Sequence, residues 1–279
     1  MALTSRISLV DTLADTPEDI LISSLGVIFP DDVTNQHGDA DHGIEYASSH
    51  LRKPLRFDLA EPSADDDRKL FSHYPWNASL QLGEFVEAGT LGLDTVKTRL
   101  GPSISHFDVG GRATVELGAG TALPSITLRA NIARNIDPSV SPSGVVTAGE
   151  VLVEGHSWGE LSDPFSVANK HAFDRVFVAD CLWMPWQHTN LHKSIAWFLR
   201  EGPEAPCWVV AGFHTGRPKM RGFFEEAALA EAGFEVELIW ERDCDGDERE
   251  WAWDRGVEDV TIRKRWLVCA ILKRRVHGA

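Results

Sequence analysis

Basic residues are scarce in this chain, and their scarcity excludes several classes of partner. Only 27 Lys and Arg stand against 42 Asp and Glu, which gives a formal net charge of −15 at pH 7. A surface of that sign repels nucleic-acid backbones and anionic lipid, so we expect neither nucleic acid nor a membrane as a partner. The same charge serves solubility and also attracts a basic protein, and composition leaves both interpretations open.

Cysteine and long apolar runs are also scarce. No two of the four cysteines form a Cys-x-x-Cys pair, and the flanks of three of them are strand-like. Buried thiols in a reducing compartment are the simplest interpretation. No basic segment followed by an apolar one opens the sequence, and no apolar run approaches the length of a membrane span. We therefore predict a soluble, cytoplasmic protein.

Two regions differ in their pattern. Residues 1–69 are acidic and interrupted by turn formers, which predicts a partly ordered N-terminal extension. Residues 70–279 alternate strand and helix patterns, which predicts an α/β domain with a doubly wound, mostly parallel sheet. The last two apolar runs, 236–240 and 266–272, are joined by a long acidic loop without an apparent helix, so we expect an antiparallel edge pair at the C-terminus.

The strongest local signal is a strand that runs into a glycine turn. The strand ends at Glu116 and Leu117, and the turn Gly118-Ala119-Gly120 opens a helical pattern. Small residues let the backbone approach a ligand, and a helix start offers free N–H donors. Leu123 stands where a dinucleotide fingerprint needs its third glycine. The position of Glu116 suits the positive group of a ligand better than a pyrophosphate.

Five segments together carry a resemblance to a known family. They are Val115–Thr121, His73–Ala78, Gly155–Gly159, Phe173–Trp183 and Gly212–Gly216. The first resembles motif I of the seven-β-strand methyltransferases, which have a Rossmann-like fold. All five resemble the fungal nicotinamide N-methyltransferase-like group of lysine methyltransferase family 16, which includes an enzyme acting on translation elongation factor 1-alpha. The resemblance extends from about residue 70 to residue 275.

The resemblance implies S-adenosyl-L-methionine as cofactor and assigns residues to it. Gly118, Ala119 and Gly120 would line its methionine end by backbone contact, with Glu116 nearby. The remaining implied residues are Trp76 closing over the cofactor, Trp158 at a strand end against the adenine, and Ala179 and Asp180 near the sulfonium. Aromatic faces and carboxylates favour a sulfonium cation. Asp180 would orient the acceptor amine or take its proton, although a structural strand-end role fits it nearly as well.

One departure from the family pattern lies after the glycine turn. Family members have a second strand ending in an acidic residue that binds the ribose, whereas Ser125 here leads almost directly into a helical pattern over 128–135. Neither Asp137 nor Glu150 ends a strand, so no ribose carboxylate is assigned. The gap indicates either weakened cofactor binding or an error in the gene model.

Three functions therefore stay open at the level of sequence. The first is methylation of a lysine or N-terminal amine on a basic protein such as a translation factor. The second is methylation of a small, nicotinamide-like amine, and the third is a non-catalytic binding module with the same fold. Weaker signals are the metal-like spacing of His188 and His192, a pocket-facing His214, and the acidic loop 243–248 beside Trp251 and Trp253. No metal site is assigned.

Overall fold

The computed structural model describes most of the chain from residue 74 onward and short parts before it. The described residues are 2–10, 34–38, 43–48, 51, 53–57, 74–120, 124 and 152–276. The predicted gap after Ser125, the helical pattern over 128–135, Asp137 and Glu150 lie outside the described residues.

Among the described residues, six strands form the central sheet. They are β4 Thr114–Leu117, β5 Arg175–Ala179, β6 Cys207–Gly212, β7 Phe234–Asp243, β8 Glu248–Glu250 and β9 Trp266–Arg274, in the spatial order β4-β5-β6-β9-β7-β8. The pairs β4–β5 and β5–β6 are parallel, whereas β9 pairs antiparallel with both β6 and β7. Four strands thus run in one direction and two in the other. This mixed sheet is compatible with the Rossmann-like methyltransferase fold predicted from the sequence.

The predicted C-terminal strand pair forms, but it does not lie at the edge of the sheet. β7 and β9 pair antiparallel over nearly their whole length, as expected. β9, however, lies between β6 and β7, and the acidic segment after β7 contributes the short outer strand β8. The reason is burial: residues 267–272 are all buried, so this apolar strand is covered on both faces and paired on both sides.

Helices of the described residues cover both faces of the sheet. They are α1 Asn77–Leu91, α2 Pro164–Ala168, α3 His188–Phe198, α4 Arg217–Met220, α5 Glu226–Glu231 and α6 Val260–Lys264. Alternate residues of β5 and β6 divide between two cores. Phe177, Ala179, Trp208 and Val210 pack with α1, and Val176, Val178, Val209 and Ala211 pack with α3. This alternation is the period-2 pattern of a doubly covered sheet.

A second, small sheet lies in the N-terminal region. Its strands β1 Ile7–Leu9, β2 Ile44–Tyr46 and β3 Leu55–Phe57 pair antiparallel in sequence order. The N–H of Leu3 donates to the carbonyl of Cys244, so this described part contacts the larger sheet region. Within the described ranges, no helix is both long and apolar enough to span a membrane.

Candidate functional site

The ends of three neighbouring strands define the candidate site. β4, β5 and β6 are parallel and adjacent, so their carboxyl ends meet at one edge of the sheet. Gly118 directly follows β4, Asp180 directly follows β5, and Gly212 ends β6. Ligands of open α/β sheets bind outside the carboxyl ends of the strands. The residues predicted at the first two of these ends are therefore brought to one edge.

The glycine turn after β4 lies directly against an indole ring. Gly118 and Gly120 have φ values of +69° and +51°, a conformation that residues with a Cβ rarely adopt. A Cβ at position 118 would lie 2.7 Å from the sulfur of Cys181 and 3.0 Å from the ring of Trp158. Only glycine fits between these two side chains, and Ala119 beside it is half-buried. The resemblance implied that Trp158 lies against the adenine of the cofactor, and nothing in the sequence indicated Cys181 here.

Trp158 reaches the glycine turn from a loop rather than from a strand end. The apolar run at Leu152 and Val153 predicts a short strand before Trp158, but both residues lie outside any strand and are exposed, so that prediction is wrong at these two residues. Side-chain hydrogen bonds hold the loop instead. Oγ of Ser194, on α3, lies 2.9 Å from Nε2 of His156 and accepts from the N–H of Gly159, also at 2.9 Å. The indole is thereby fixed from the helix beneath it.

Asp180 is a buried carboxylate on a strained backbone. Its φ of +55° is unusual for a residue that is not glycine, and such outliers concentrate at functional sites. One carboxylate oxygen accepts the N–H of Gly212 at 2.9 Å, and the other lies 3.9 Å from Nδ1 of His214. Burial raises the pKa of Asp180, and His214 and the Gly212 N–H only partly oppose it. A carboxyl group of raised pKa is suited to accept a proton.

Trp76 joins the same edge through His214. It is the residue before α1, and its ring stacks on the imidazole of His214 with 4.6 Å between ring centroids and 23° between planes. His214 therefore contacts both Trp76 and the neighbourhood of Asp180. The sequence indicated His214 only as a pocket-facing possibility, because nothing local in the chain reports a stack between such distant residues.

The remaining predicted residues lie in or beside the strands. Ala179 is the buried last residue of β5, and Glu116 is a half-buried residue of β4 paired in register with Phe177. Burial, with the charges of Asp180 and Glu116, raises the pKa of the Cys181 thiol well above its usual range. The structure thus forms two groups, Gly118 with Trp158 and Asp180 with Trp76 through His214. The short run 179–181 connects them.

Two weaker sequence signals have a structural explanation. Nε2 of His188 and of His192 donate to the backbone carbonyls of Leu182 and Phe223, which explains these histidines without a metal.

In the acidic loop, Oδ1 of Asp243 accepts from the N–H groups of Asp245 and Asp247. Asp245 also pairs with Arg265, and Glu248 pairs with Arg242. The acids Asp243, Asp245 and Glu248 therefore stabilise the loop itself.

The mixed sheet is compatible with a Rossmann-like methyltransferase fold, and the glycine turn and Asp180 lie at the strand-end edge where open α/β sheets bind ligands. Sequence comparison also points to methyltransferases. The chain is 27% identical to the protein N-terminal and lysine N-methyltransferase EFM7 of Gibberella zeae, over 69% of this chain and 75% of that protein. It is 24% identical to the EFM7 protein of Yarrowia lipolytica, over 70% of this chain and 76% of that protein. No protein-family model matches the chain. The two relatives support a methyltransferase family for this chain, and their names imply a protein methyltransferase.

Proposed function

We propose that this chain is a cytoplasmic, S-adenosyl-L-methionine-dependent N-methyltransferase acting on a lysine or an N-terminal amine of a basic protein, with a translation elongation factor as the expected kind of substrate. The observation that carries the proposal is the glycine at position 118, where a Cβ would crowd Cys181 and Trp158, packed against Trp158 at the edge that also holds Asp180. The two relatives, named for methylation of protein N-termini and lysines, support the choice of acceptor.

The residues at this edge fit the proposed cofactor. The backbone at Gly118 and Gly120 is open to close approach, and the Trp158 ring beside it offers a flat face to a purine. The aromatic ring of Trp76 and the carboxylate of Asp180 suit the cationic sulfonium. When bound, the cofactor supplies a methyl group already activated for displacement by a nucleophile.

Asp180 is the group we assign to the acceptor amine. An amine attacks only in its neutral form, so its proton must leave before or during transfer. The carboxylate of Asp180 is buried and held at one oxygen by the Gly212 N–H, which fixes its direction. Its raised pKa favours proton uptake. Asp180 therefore orients the amine and accepts its proton.

A radiolabel experiment tests the proposal. The purified chain is incubated with methyl-tritiated S-adenosylmethionine and lysate from cells that lack the gene. We expect label in a discrete protein band, with the methylated lysine or N-terminus located by mass spectrometry. Asp180→Asn should lose the label, while the exposed-site control Asp254→Asn should keep it. Label confined to small molecules would instead support the nicotinamide-like alternative, and no label with no cofactor binding would support the non-catalytic module.

A further inference from the structure

A single histidine connects the indole and the carboxylate of the candidate site. We propose that His214 is a positioning residue for methyl transfer, stacking on the ring of Trp76 and placing Nδ1 beside the carboxylate of Asp180. This inference rests on the proposed function, because it assigns His214 a role at the same site. It adds a residue that neither the glycine-turn motif nor the strand-end carboxylate identifies.

The first part of the argument is the stack of His214 on Trp76, which also forms an antiparallel β-bridge with Gln36. The backbone of Trp76 is extended, with φ −107° and ψ 156°, and it lies just before α1, with no side-chain capping bond to the helix. The imidazole of His214 lies against its ring, with 4.6 Å between the ring centroids and 23° between the ring planes. An offset-stacked pair of this kind contributes about 0.5–1.5 kcal/mol beyond the area it buries.

The second part is the glycine that allows His214 to approach Asp180. A Cβ at Gly212 would lie 3.0 Å from Nδ1 of His214 and 3.7 Å from Oδ1 of Asp180. A side chain at this position would press into the imidazole and crowd the carboxylate. Glycine keeps the gap open, so Nδ1 lies 3.9 Å from Oδ2 of Asp180 while the Gly212 N–H binds Oδ1.

The third part is the rigidity of the turn that carries His214. The 3₁₀ turn Phe213–Thr215 follows β6 directly, and the N–H of Gly216 donates to the carbonyl of Phe213 at 2.9 Å. The side chain of Phe213 is fully buried, and Arg263 donates to the carbonyl of His214 at 3.3 Å. The imidazole is thus presented from a fixed backbone, as a positioning role requires.

Two substitutions separate the two contacts of His214. His214→Phe keeps a ring against Trp76 but removes Nδ1, whereas His214→Ala removes both. The readouts are the Kd of S-adenosylhomocysteine by calorimetry and kcat on the lysate protein labelled in the radiolabel experiment. We expect His214→Phe to leave Kd within about twofold and to lower kcat on the order of tenfold, because only the carboxylate is misplaced. His214→Ala should also weaken binding about fivefold to tenfold.

A double-mutant cycle tests the stack itself. If His214 acts on the cofactor through Trp76, the variants Trp76→Ala, His214→Ala and the double variant should weaken S-adenosylhomocysteine binding to a similar extent. The matched control is His192→Gln, in a histidine that also contacts an aromatic ring, Phe223 at 4.2 Å, on the other face of the sheet. This control should keep both Kd and kcat.

The outcomes decide between the inference and the function on which it rests. Wild-type protein that fails to bind S-adenosylhomocysteine would overturn the proposed function and this inference with it. Wild-type binding combined with unchanged Kd and kcat in both His214 variants would overturn this inference alone. Equal losses of affinity and kcat in His214→Phe and His214→Ala would show that Nδ1 accounts for the whole effect and that the stack on Trp76 contributes nothing, which also overturns it.

Discussion

Asp180, directly after β5, and Glu241, in β7, both carry buried carboxylates, and their surroundings shift the two pKa values in opposite directions. Glu241, in β7, is fully buried and receives bonds from Arg217, Arg249 and Arg255. Burial alone would raise its pKa, but the hydrogen bonds and charge of Arg217, with those of Arg249, outweigh it and lower the pKa. At Asp180 burial prevails and the pKa is raised. The number of surrounding cations thus distinguishes the structural carboxylate of Glu241 from the carboxylate of Asp180, to which we assign the proposed chemistry.

The Glu241 cluster shows what full compensation achieves. Its arginines come from α4, from β8 and from the loop before α6, so one carboxylate holds three segments at the outer end of the sheet. Glu258 adds a second carboxylate to Arg217. Asp180 has one backbone donor and one histidine at 3.9 Å. The folded chain tolerates this deficit at the edge where we place the chemistry, which is typical of functional sites.

The largest expected effect comes from replacing Glu241, the structural carboxylate of the two that we compare. Glu241→Gln keeps the shape but removes the anion that Arg217, Arg249 and Arg255 share, and removing one partner of a buried ion pair costs about 3–5 kcal/mol. The free energy of unfolding in urea should fall by that amount. Glu250→Gln, at the exposed last residue of β8, is the control and should change it by less than about 0.5 kcal/mol. A loss below about 1 kcal/mol would show that the network is not a structural anchor.

The second prediction concerns the pH dependence of stability and a buried histidine of α3, His192. Burial lowers the pKa of His192 to about 4, from an ordinary value of 6.5. Above pH 6.5 the imidazole of His192 is neutral in both the folded and the unfolded chain. Between pH 6.5 and about 4 it is protonated in the unfolded chain but stays neutral in the folded chain. The free energy of unfolding therefore decreases as the pH is lowered from 6.5 to about 4, by about 3 kcal/mol in total.

The variant His192→Gln isolates this contribution, because its amide can still donate to the carbonyl of Phe223. Its unfolding free energy should drop by about 3 kcal/mol less than that of the wild type between pH 7 and pH 4. His106→Gln, at an exposed histidine, is the control and should follow the wild-type curve. Parallel curves for all three proteins would contradict the prediction.

What the sequence predicts and what it misses follow from the range of the interactions involved. β5 and β6 are predicted because almost every residue is apolar, which is a local signal of burial on both faces. The insertion of β9 between β6 and β7 is missed because strand pairing is set by distant partners. The apolar run at Leu152 and Val153 misleads for the same reason: local strand preference forms no strand without a neighbour.

The candidate site shows the same division. Positive φ at Gly118 follows from a glycine turn, which the sequence displays directly. Two further features join residues that are far apart in the chain. Cys181 lies close to Gly118, and His214 stacks on Trp76. No periodicity or motif encodes them, so they emerge only from the packed structure.

The third prediction tests the candidate site, at the glycine turn after β4. Gly118→Ala introduces a Cβ at φ +69°, which costs about 1–2 kcal/mol, and forces it within 2.7 Å of the Cys181 sulfur. We expect S-adenosylhomocysteine affinity to fall at least tenfold by calorimetry because the turn and Trp158 must separate. Gly222→Ala is the matched control, since a Cβ there meets no atom within 4 Å, and it should retain wild-type affinity.

The smallest expected effect is also the sharpest test of the comparison, because its sign is opposite to that at Glu241. Asp180→Asn removes a buried charge, keeps an oxygen for the Gly212 N–H, and is tolerated at φ +55°, where asparagine is favoured. A raised pKa in the folded state means that ionised Asp180 opposes folding above the unfolded value, near 4. The variant should therefore be more stable by about 1 kcal/mol at pH 7 in urea unfolding, and the gain should vanish as the pH falls below 4. Methyl transfer in the radiolabel experiment should fall at least tenfold in the same variant. Greater stability with lost activity identifies a carboxylate kept for chemistry, whereas a destabilised variant would assign Asp180 to the architecture beside Glu241.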